Sequence, residues 1–122
     1  MGGQFTKPAV VRGENPIEEG KEMGGTWVHH SPRSSTLIAY WVPGGGMKPH
    51  YHESHDEIMT VVEGFVDFRL GDEIRAMGPG DVVSVPAGIV HAPIHTESGC
   101  LIVSVFAPWF DSENPDRIFI EE

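Results

Sequence analysis

The segment from Gly44 to Gly64 carries the residues best suited to chemistry, beginning with His50 and His52. Alternate side chains of a β-strand face the same side, so these two imidazoles can converge on one point inside a sheet or barrel. Glu57 has the opposite parity and joins them only if the chain turns near Glu53, where the sequence is polar enough to allow it. Imidazole and carboxylate together suit a first-row transition metal. The spacing therefore predicts a metal site that needs a further ligand from elsewhere in the chain.

The length of 122 residues is that of one ordinary domain, so the chain is expected to fold as a single unit over residues 1–122. No stretch approaches the roughly 18 consecutive apolar residues of a membrane span. No apolar secretory signal is visible at the N-terminus. Cys100 is the only cysteine, which rules out an internal disulfide and fits a reducing compartment. These features predict a cytoplasmic protein.

The net charge of −10 limits the partners that the chain can attract. Nucleic acid and anionic membrane surfaces repel such a chain, and its eight Lys and Arg residues are scattered instead of forming a basic cluster. The charge also opposes an anionic substrate at long range, although one local arginine or lysine can overcome that. The expected partner is a small molecule, with no nucleic acid and no membrane.

The secondary structure is expected to be all-β, because short runs of β-branched and aromatic residues alternate with glycine- and proline-rich turns. No segment keeps a helical period over about ten residues. Roughly eight to ten strands are predicted, which indicates an antiparallel sandwich or barrel. The predicted strands are Thr26–His30, Ser35–Val42, Lys48–His52, Asp56–Val62, Phe65–Leu70, Glu73–Met77, Val82–Val85, Ile89–Ile94 and Cys100–Phe106, and the tail after them contains the apolar segment Ile118–Ile120. A strand or arm at Pro8–Val11 and a polar loop at Arg12–Lys21 precede them.

Two motifs carry a family resemblance. The first has a glycine, a histidine pair, a glutamate and a glycine at set intervals, here Gly44, His50, His52, Glu57 and Gly64. The second has a glycine, a Pro-x-Gly turn and a histidine, here Gly80, Pro86, Gly88 and His91. His95 stands where this second motif usually has asparagine. With both motifs in this order and at this separation, the chain resembles the cupin superfamily, and within it a small single-domain, type-2 cupin.

The resemblance implies a double-stranded β-helix, or jelly-roll barrel, with its core at about 24–107, an N-terminal arm at 1–23 and a C-terminal tail at 108–122. It also implies one bound divalent metal whose ligands are His50, His52, Glu57 and His91. Three imidazoles and one carboxylate suit Fe, Mn, Ni, Co, Cu or Zn. The remaining coordination positions would be open to water or substrate.

Four further side chains are candidates for contact with a substrate. Lys48 shares the parity of the motif histidines, the alternative being an exposed lysine at the strand edge. Either Tyr40 or Trp41 should face the interior, where a tyrosine hydroxyl can serve as a general acid or base, although core packing is the commoner role. His55 is a candidate supporting or acid–base group, against an exposed turn histidine, and His95 is a candidate for the barrel mouth. An apolar cavity is expected from Met59, Val66, Phe68 and Leu101.

The resemblance favours a metal-dependent enzyme acting on a small organic molecule, with quercetinase-like dioxygenases as the first reaction class and Glu57 as a candidate base. One alternative is a non-redox lyase, isomerase or decarboxylase of a small carboxylate or sugar acid. Others are a non-catalytic ligand-binding cupin and a barrel that the metal only stabilises.

Small cupins that convert unsaturated uronates to keto-sugars are similar to this chain in size. They carry an acid and an arginine near the end of the last strand. The stretch Ser104–Phe110 has neither, which argues against that reaction.

Cupins of this size commonly pair, so a homodimer is expected. The apolar segments Pro8–Val11 and Ile118–Ile120 are the candidate contacts.

Overall fold

A computed structural model describes residues 3–6 and 22–120 of the chain. Ten β-strands lie in the second of these ranges, and neither range contains a helix. The strands are β1 Met23–His30, β2 Ser35–Trp41, β3 His50–Tyr51, β4 Asp56–Gly64, β5 Val66–Leu70, β6 Glu73–Met77, β7 Val82–Val85, β8 His91–His95, β9 Cys100–Ala107 and β10 Ile118–Phe119. The all-β prediction is confirmed.

Two antiparallel sheets of five strands each form a double-stranded β-helix, or jelly-roll barrel. The first sheet has the order β1-β2-β9-β4-β7, and the second has the order β10-β3-β8-β5-β6. Strands β3 and β4 are consecutive in sequence but belong to different sheets. The short link between them therefore carries the chain across the barrel, which is the turn that the opposite parity of Glu57 requires.

The core fills the space between the sheets, because the inward positions of the strands are apolar. In β5, Val66 and Phe68 are buried while Asp67 between them is exposed. Met59 of β4 supplies a facing side chain that is almost fully buried. Burying each large apolar side chain of this kind contributes about 1.5–3 kcal/mol of transfer free energy.

Strand β3 is shorter than the predicted span 48–52, because only His50 and Tyr51 pair with neighbouring strands. Pro49 has no N–H group to donate, so the regular pairing stops there, although its carbonyl accepts from the N–H of Ile120 at 3.2 Å and the N–H of Met47 donates to the Pro93 carbonyl at 2.8 Å. The side chain of Lys48 therefore does not follow the strand alternation that its parity assumes.

Strand β8 begins at His91, two residues later than predicted. The turn before it is longer than expected, since the N–H of Ile89 donates to the Pro86 carbonyl at 3.2 Å. The N–H of Gly88 donates to the carbonyl of His52 at 2.7 Å, which fastens the second motif to the first.

Four motif glycines, Gly44, Gly64, Gly80 and Gly88, have a positive φ, which favours glycine. Gly64 has a φ of +79°, and a Cβ there would lie 2.1 Å from the carbonyl oxygen of Gly99. Gly80 has a φ of +88° with open space around the Cβ position, so only its backbone conformation demands glycine.

The end of the described chain joins the second sheet through β10, which pairs Ile118 with Tyr51 and Phe119 with His50. The predicted segments Pro8–Val11 and Arg12–Lys21 lie outside the described residues. The homodimer and the cytoplasmic location stay predictions. Within residues 3–6 and 22–120, no helix is long and apolar enough to span a bilayer.

Candidate metal centre

Both sheets contribute to a cluster of three histidines and one glutamate inside the barrel. His50 in β3 lies directly opposite His91 in β8, with ring centroids 4.5 Å apart. His52 follows β3, and its ring centroid is 4.9 Å from that of His91. Glu57 reaches the cluster from β4 in the other sheet. The four residues predicted as metal ligands are thus brought together, and all four are buried.

The distances within the cluster fit ligands that share one ion. One ring nitrogen from each of His50, His52 and His91 lies within 4.8 Å of the other two. The Nε2 atoms of His52 and His91 are each 3.1 Å from Oε1 of Glu57. Two ligand atoms about 2.1 Å from one ion, at right angles to each other, are about 3 Å apart. The Glu57 oxygen therefore has the separation expected of an adjacent ligand.

Backbone carbonyls set the tautomer of all three imidazoles. The Nδ1–H of His50 donates to the Lys48 carbonyl at 2.8 Å, and that of His91 donates to the Ile89 carbonyl at 2.9 Å. The Nδ1–H of His52 donates to the Asp116 carbonyl at 2.5 Å. A carbonyl oxygen only accepts, so the proton of each neutral ring is on Nδ1 and the lone pair is on Nε2. This is the arrangement that metal-ligating histidines usually show.

A cation is the group that fits between these atoms. The Nε2 lone pairs of His52 and His91 face the Glu57 carboxylate at close range. Each lone pair is repelled by the negative carboxylate unless a proton or a metal ion lies between the two groups. Imidazole nitrogen and carboxylate oxygen are borderline-to-hard donors that first-row divalent metals accept. The residues present therefore fit a divalent transition metal.

Ser104 binds the Glu57 carboxylate through the oxygen that does not face the histidines. Its hydroxyl donates to Oε2 of Glu57 at 3.0 Å, and both side chains are buried. Burial would raise the pKa of Glu57, but the His52 and His91 rings, when they carry a proton on Nε2 as well as on Nδ1, donate to its carboxylate and lower that pKa to about 2. The carboxylate is therefore ionised, with Oε1 directed at the histidines. Ser104 could have been found from the sequence as the one hydroxyl at an inward position of the apolar strand β9.

Replacing Ser104 with alanine should destabilise the metal-free protein by about 1–3 kcal/mol, because a buried carboxylate oxygen loses its donor. Metal affinity should fall about 10-fold, since Glu57 becomes free to rotate. Urea unfolding and titration against a competing chelator measure the two effects. Ser84→Ala is the matched control, because Ser84 is exposed on β7. Equal effects of the two substitutions would contradict the role given to Ser104.

Acid should destabilise the metal-free protein in two steps. Burial lowers the pKa of His50 to about 4 from its ordinary 6.5, against the opposing hydrogen bond to Lys48. Because the unfolded chain takes up this proton first, stability is complete above about pH 6.5 and falls as the pH drops towards 4. Glu57 adds a second loss between about pH 4.5 and 2. The free energy of unfolding, measured with urea at a series of pH values, should show both losses.

In His50→Gln the loss between about pH 6.5 and 4 should be smaller than in the wild type. An unchanged loss over that range would refute the assignment of the first step to His50.

The cluster lines a small cavity of about 50 Å³, which is room for an ion with one or two waters. Apolar side chains form most of the remaining wall: Met23, Leu37, Trp41, Met47, Met59, Pro93, Ile102 and Phe106.

Of the four residues predicted for an apolar cavity, only Met59 lines it. Leu101 is replaced by its neighbour Ile102, while Val66 and Phe68 pack in the core, where Phe68 stacks on His91. A larger groove of about 390 Å³ between β6 and β7 is lined by no histidine.

The structure does not bring the predicted substrate contacts Lys48, Tyr40 and His95 to this cavity. Lys48 and His95 are exposed; the Lys48 carbonyl accepts from His50, and Lys48 lines a neighbouring surface groove instead of the cavity. Tyr40 points away, with its hydroxyl beside Gly99, and Trp41 is the residue of that pair that lines the cavity.

His55 is neither a cavity residue nor a free turn histidine. Its Nε2–H donates to the Trp109 carbonyl at 2.8 Å, and its Nδ1 is 2.6 Å from Oδ2 of Asp116. His55 therefore supports the site at a distance, by fastening the C-terminal segment.

That C-terminal segment supplies two site residues that the sequence reasoning missed, Asp116 and Arg117. The Asp116 carboxylate accepts from the N–H groups of Glu53 and Ser54 at 2.9 and 2.8 Å. Burial would raise the pKa of Asp116, but these bonds and the one with His55 lower it. Arg117 follows and lines the cavity beside the metal-ligand candidates. No periodic or motif signal in the tail marks either residue.

Comparison with known proteins identifies the family of this chain. The family Cupin_2, a cupin domain, matches residues 37–106. An uncharacterised protein of Aquifex aeolicus is 31% identical over 70 residues, which cover 57% of this chain and 58% of that protein. The pectin degradation protein KdgF of Dickeya dadantii is 25% identical over 72 residues, covering 59% of this chain and 66% of that protein. The matched part thus spans less than two thirds of these curated relatives.

A solved structure extends the similarity over most of the barrel. The structure of KdgF from Halomonas sp. superposes with a TM-score of 0.73 and 28% identity, covering 80% of this chain and 91% of that one. The similarity therefore includes strands on both sides of the two histidine motifs.

Proposed function

This chain belongs to the cupin family, and from that premise we propose that it is a metal-dependent enzyme acting on a small organic molecule. The observation that carries the proposal is the convergence of three imidazoles, each with its Nδ1–H bound to a carbonyl, on the ionised Glu57. A purely structural site would enclose the ion with protein ligands, whereas this cluster borders a cavity.

The residues proposed to hold the metal are His50, His52, His91 and Glu57. When bound, the metal would supply Lewis-acid polarisation of a substrate oxygen. Among residues 3–6 and 22–120, Glu57 is the one acidic side chain that lines the cavity, so it is also the candidate acceptor for a substrate proton. The hydrogen bond from Ser104 keeps its carboxylate in place, and the apolar wall excludes bulk water from the reacting groups.

A non-redox lyase or isomerase reaction on a sugar acid is the reaction class that the similarities support. The Halomonas and Dickeya proteins that the chain is similar to both carry the name KdgF, and the second is named for pectin degradation. Pectin is a polymer of sugar acids. The proposal transfers only this substrate class to the chain.

An oxygenase is the second candidate, and the apolar cavity wall favours it. Met59, Ile102 and Phe106 would accommodate an apolar substrate better than a polyhydroxylated one. The same ligand set can serve either reaction class.

Metal analysis followed by anaerobic assays tests the proposal. Protein purified without a histidine tag should contain about one divalent metal per chain, and should turn over unsaturated uronates or related sugar acids without O₂. Turnover that requires O₂ would replace the lyase or isomerase assignment with the oxygenase. Absence of metal under every growth condition would overturn the enzyme proposal.

A further inference from the structure

Two buried hydrogen-bond donors in the described part of the chain have no partner, and both belong to residues that line the metal-site cavity. They are Nε1 of Trp41 and Nε of Arg117. Trp41 is only 4% exposed. A buried donor without an acceptor costs about 1–3 kcal/mol, so such groups are rare unless a ligand or water completes them. Both atoms are donors, so the missing partner is an acceptor.

Arg117 adds a positive charge to this requirement. No acidic side chain among residues 3–6 and 22–120 lies within ion-pair distance of its guanidinium. Burial lowers the pKa of Arg117, and the negative charge of the more distant Glu57 only partly opposes this. The Nε edge of a guanidinium is one of the faces that bind a carboxylate through two parallel hydrogen bonds. An anionic oxygen pair is therefore the acceptor that satisfies Arg117 best.

The position of Arg117 is set by the backbone on both sides of it. Asp116 is fastened to the β3–β4 link by Glu53 and Ser54, and Ile118 pairs with Tyr51 in the second sheet. The guanidinium is thus held over the cavity and does not sweep freely through solvent, which lowers the entropic cost of binding an anion.

We propose that Arg117 and Trp41 form a carboxylate-binding subsite beside the metal centre, and that the substrate is a small organic acid. The identification of this ligand as the substrate rests on the proposed function, whereas the subsite itself does not. Arg117 is the local cation that an anionic ligand needs in a chain of net charge −10.

The size of the cavity determines which part of such an acid can enter it. About 50 Å³ accepts a carboxylate group but not a sugar ring. A surface groove of about 380 Å³ shares Met23, Trp41 and Met47 with the cavity. The carboxylate therefore occupies the inner space at Arg117, and the remainder of the molecule lies towards this groove.

Calorimetric titration of zinc-loaded protein with galacturonate and galactose tests the subsite, because the two sugars differ only in the carboxylate. The wild-type protein should bind galacturonate at least about 10-fold more tightly than galactose. Arg117→Gln should abolish this preference, and Arg117→Lys should restore part of it. Trp41→Phe keeps an aromatic ring but removes the donor, and should weaken galacturonate binding several-fold. Metal content and unfolding are measured for each variant.

The controls are Arg75→Gln and Trp109→Phe, which replace exposed residues of the same types outside the cavity. They should leave the preference unchanged. If Arg117 only balances the charge of Glu57, Arg117→Gln will alter metal affinity and leave the preference as in the wild type, which would overturn the subsite. A wild-type protein without any preference would overturn it as well.

Failure of the two proposals can be told apart. A preference that depends on Arg117 in a protein without turnover would refute the enzyme and support the subsite. Turnover in a protein whose preference for galacturonate over galactose is unchanged in Arg117→Gln would support the enzyme and refute the subsite.

Discussion

His91→Ala should lower the affinity for a divalent metal by at least about 100-fold, and turnover should fall with metal occupancy. His91 is 1% exposed, and its ring contacts His50, His52 and the Glu57 carboxylate. Loss of a supporting hydrogen bond to a ligand costs about 10–100-fold in metal affinity, and loss of a ligand itself should cost more. Competition with a chelator of known affinity measures the change.

His95→Ala is the control, because it makes the same substitution four residues later on the same strand. His95 is exposed and does not reach the cavity, so metal affinity should stay within about 2-fold of the wild type. Equal losses in the two variants would show that the effect comes from strand β8 in general and that His91 is not a ligand.

Asp116→Ala should lower metal affinity by about 10–100-fold although Asp116 is not itself a ligand. Its carbonyl accepts the Nδ1–H of His52, and its carboxylate fastens that carbonyl in place through Glu53, Ser54 and His55. Without the carboxylate, the segment leading to β10 loosens and the His52 ring loses its fixed orientation. The same substitution should weaken galacturonate binding, since it also frees Arg117.

Asp111→Ala is the matched control in the same tail. The Asp111 carboxylate accepts a local bond from the N–H of Glu113, within the turn before the segment. Metal affinity and hydrogen exchange of the β10 amides should be unchanged in this variant and altered in Asp116→Ala. A wild-type metal affinity in Asp116→Ala would refute the link between the tail and the site.

The ligand candidates were predictable because their information is local. A histidine pair, a glutamate after a short link and a histidine after a Pro-x-Gly turn are each set within a few residues. The spacing encodes the turn geometry, and the barrel then brings His50 opposite His91. The regular punctuation of short strands predicted an antiparallel sandwich or barrel, and the resemblance to cupins selected the double-stranded β-helix that is confirmed.

The supporting residues were not predictable in this way. Asp116 meets His52 across a sequence separation of 64, and nothing in its neighbourhood marks that contact. Strand β2 is apolar almost throughout, so alternation could not tell whether Tyr40 or Trp41 faces inward. Lys48 had the right parity, but Pro49 ends the strand before parity can apply.

The contact between the Asp116 carbonyl and His52 joins two segments that are synthesised at different times. Translation produces the histidine motif long before the segment that orients it, and strand β10 can pair with β3 only after residue 119 has been added. A nascent chain that already holds the motif histidines therefore has an incomplete site. Whatever metal the site binds, the contact that orients His52 should therefore form only after the tail has been made.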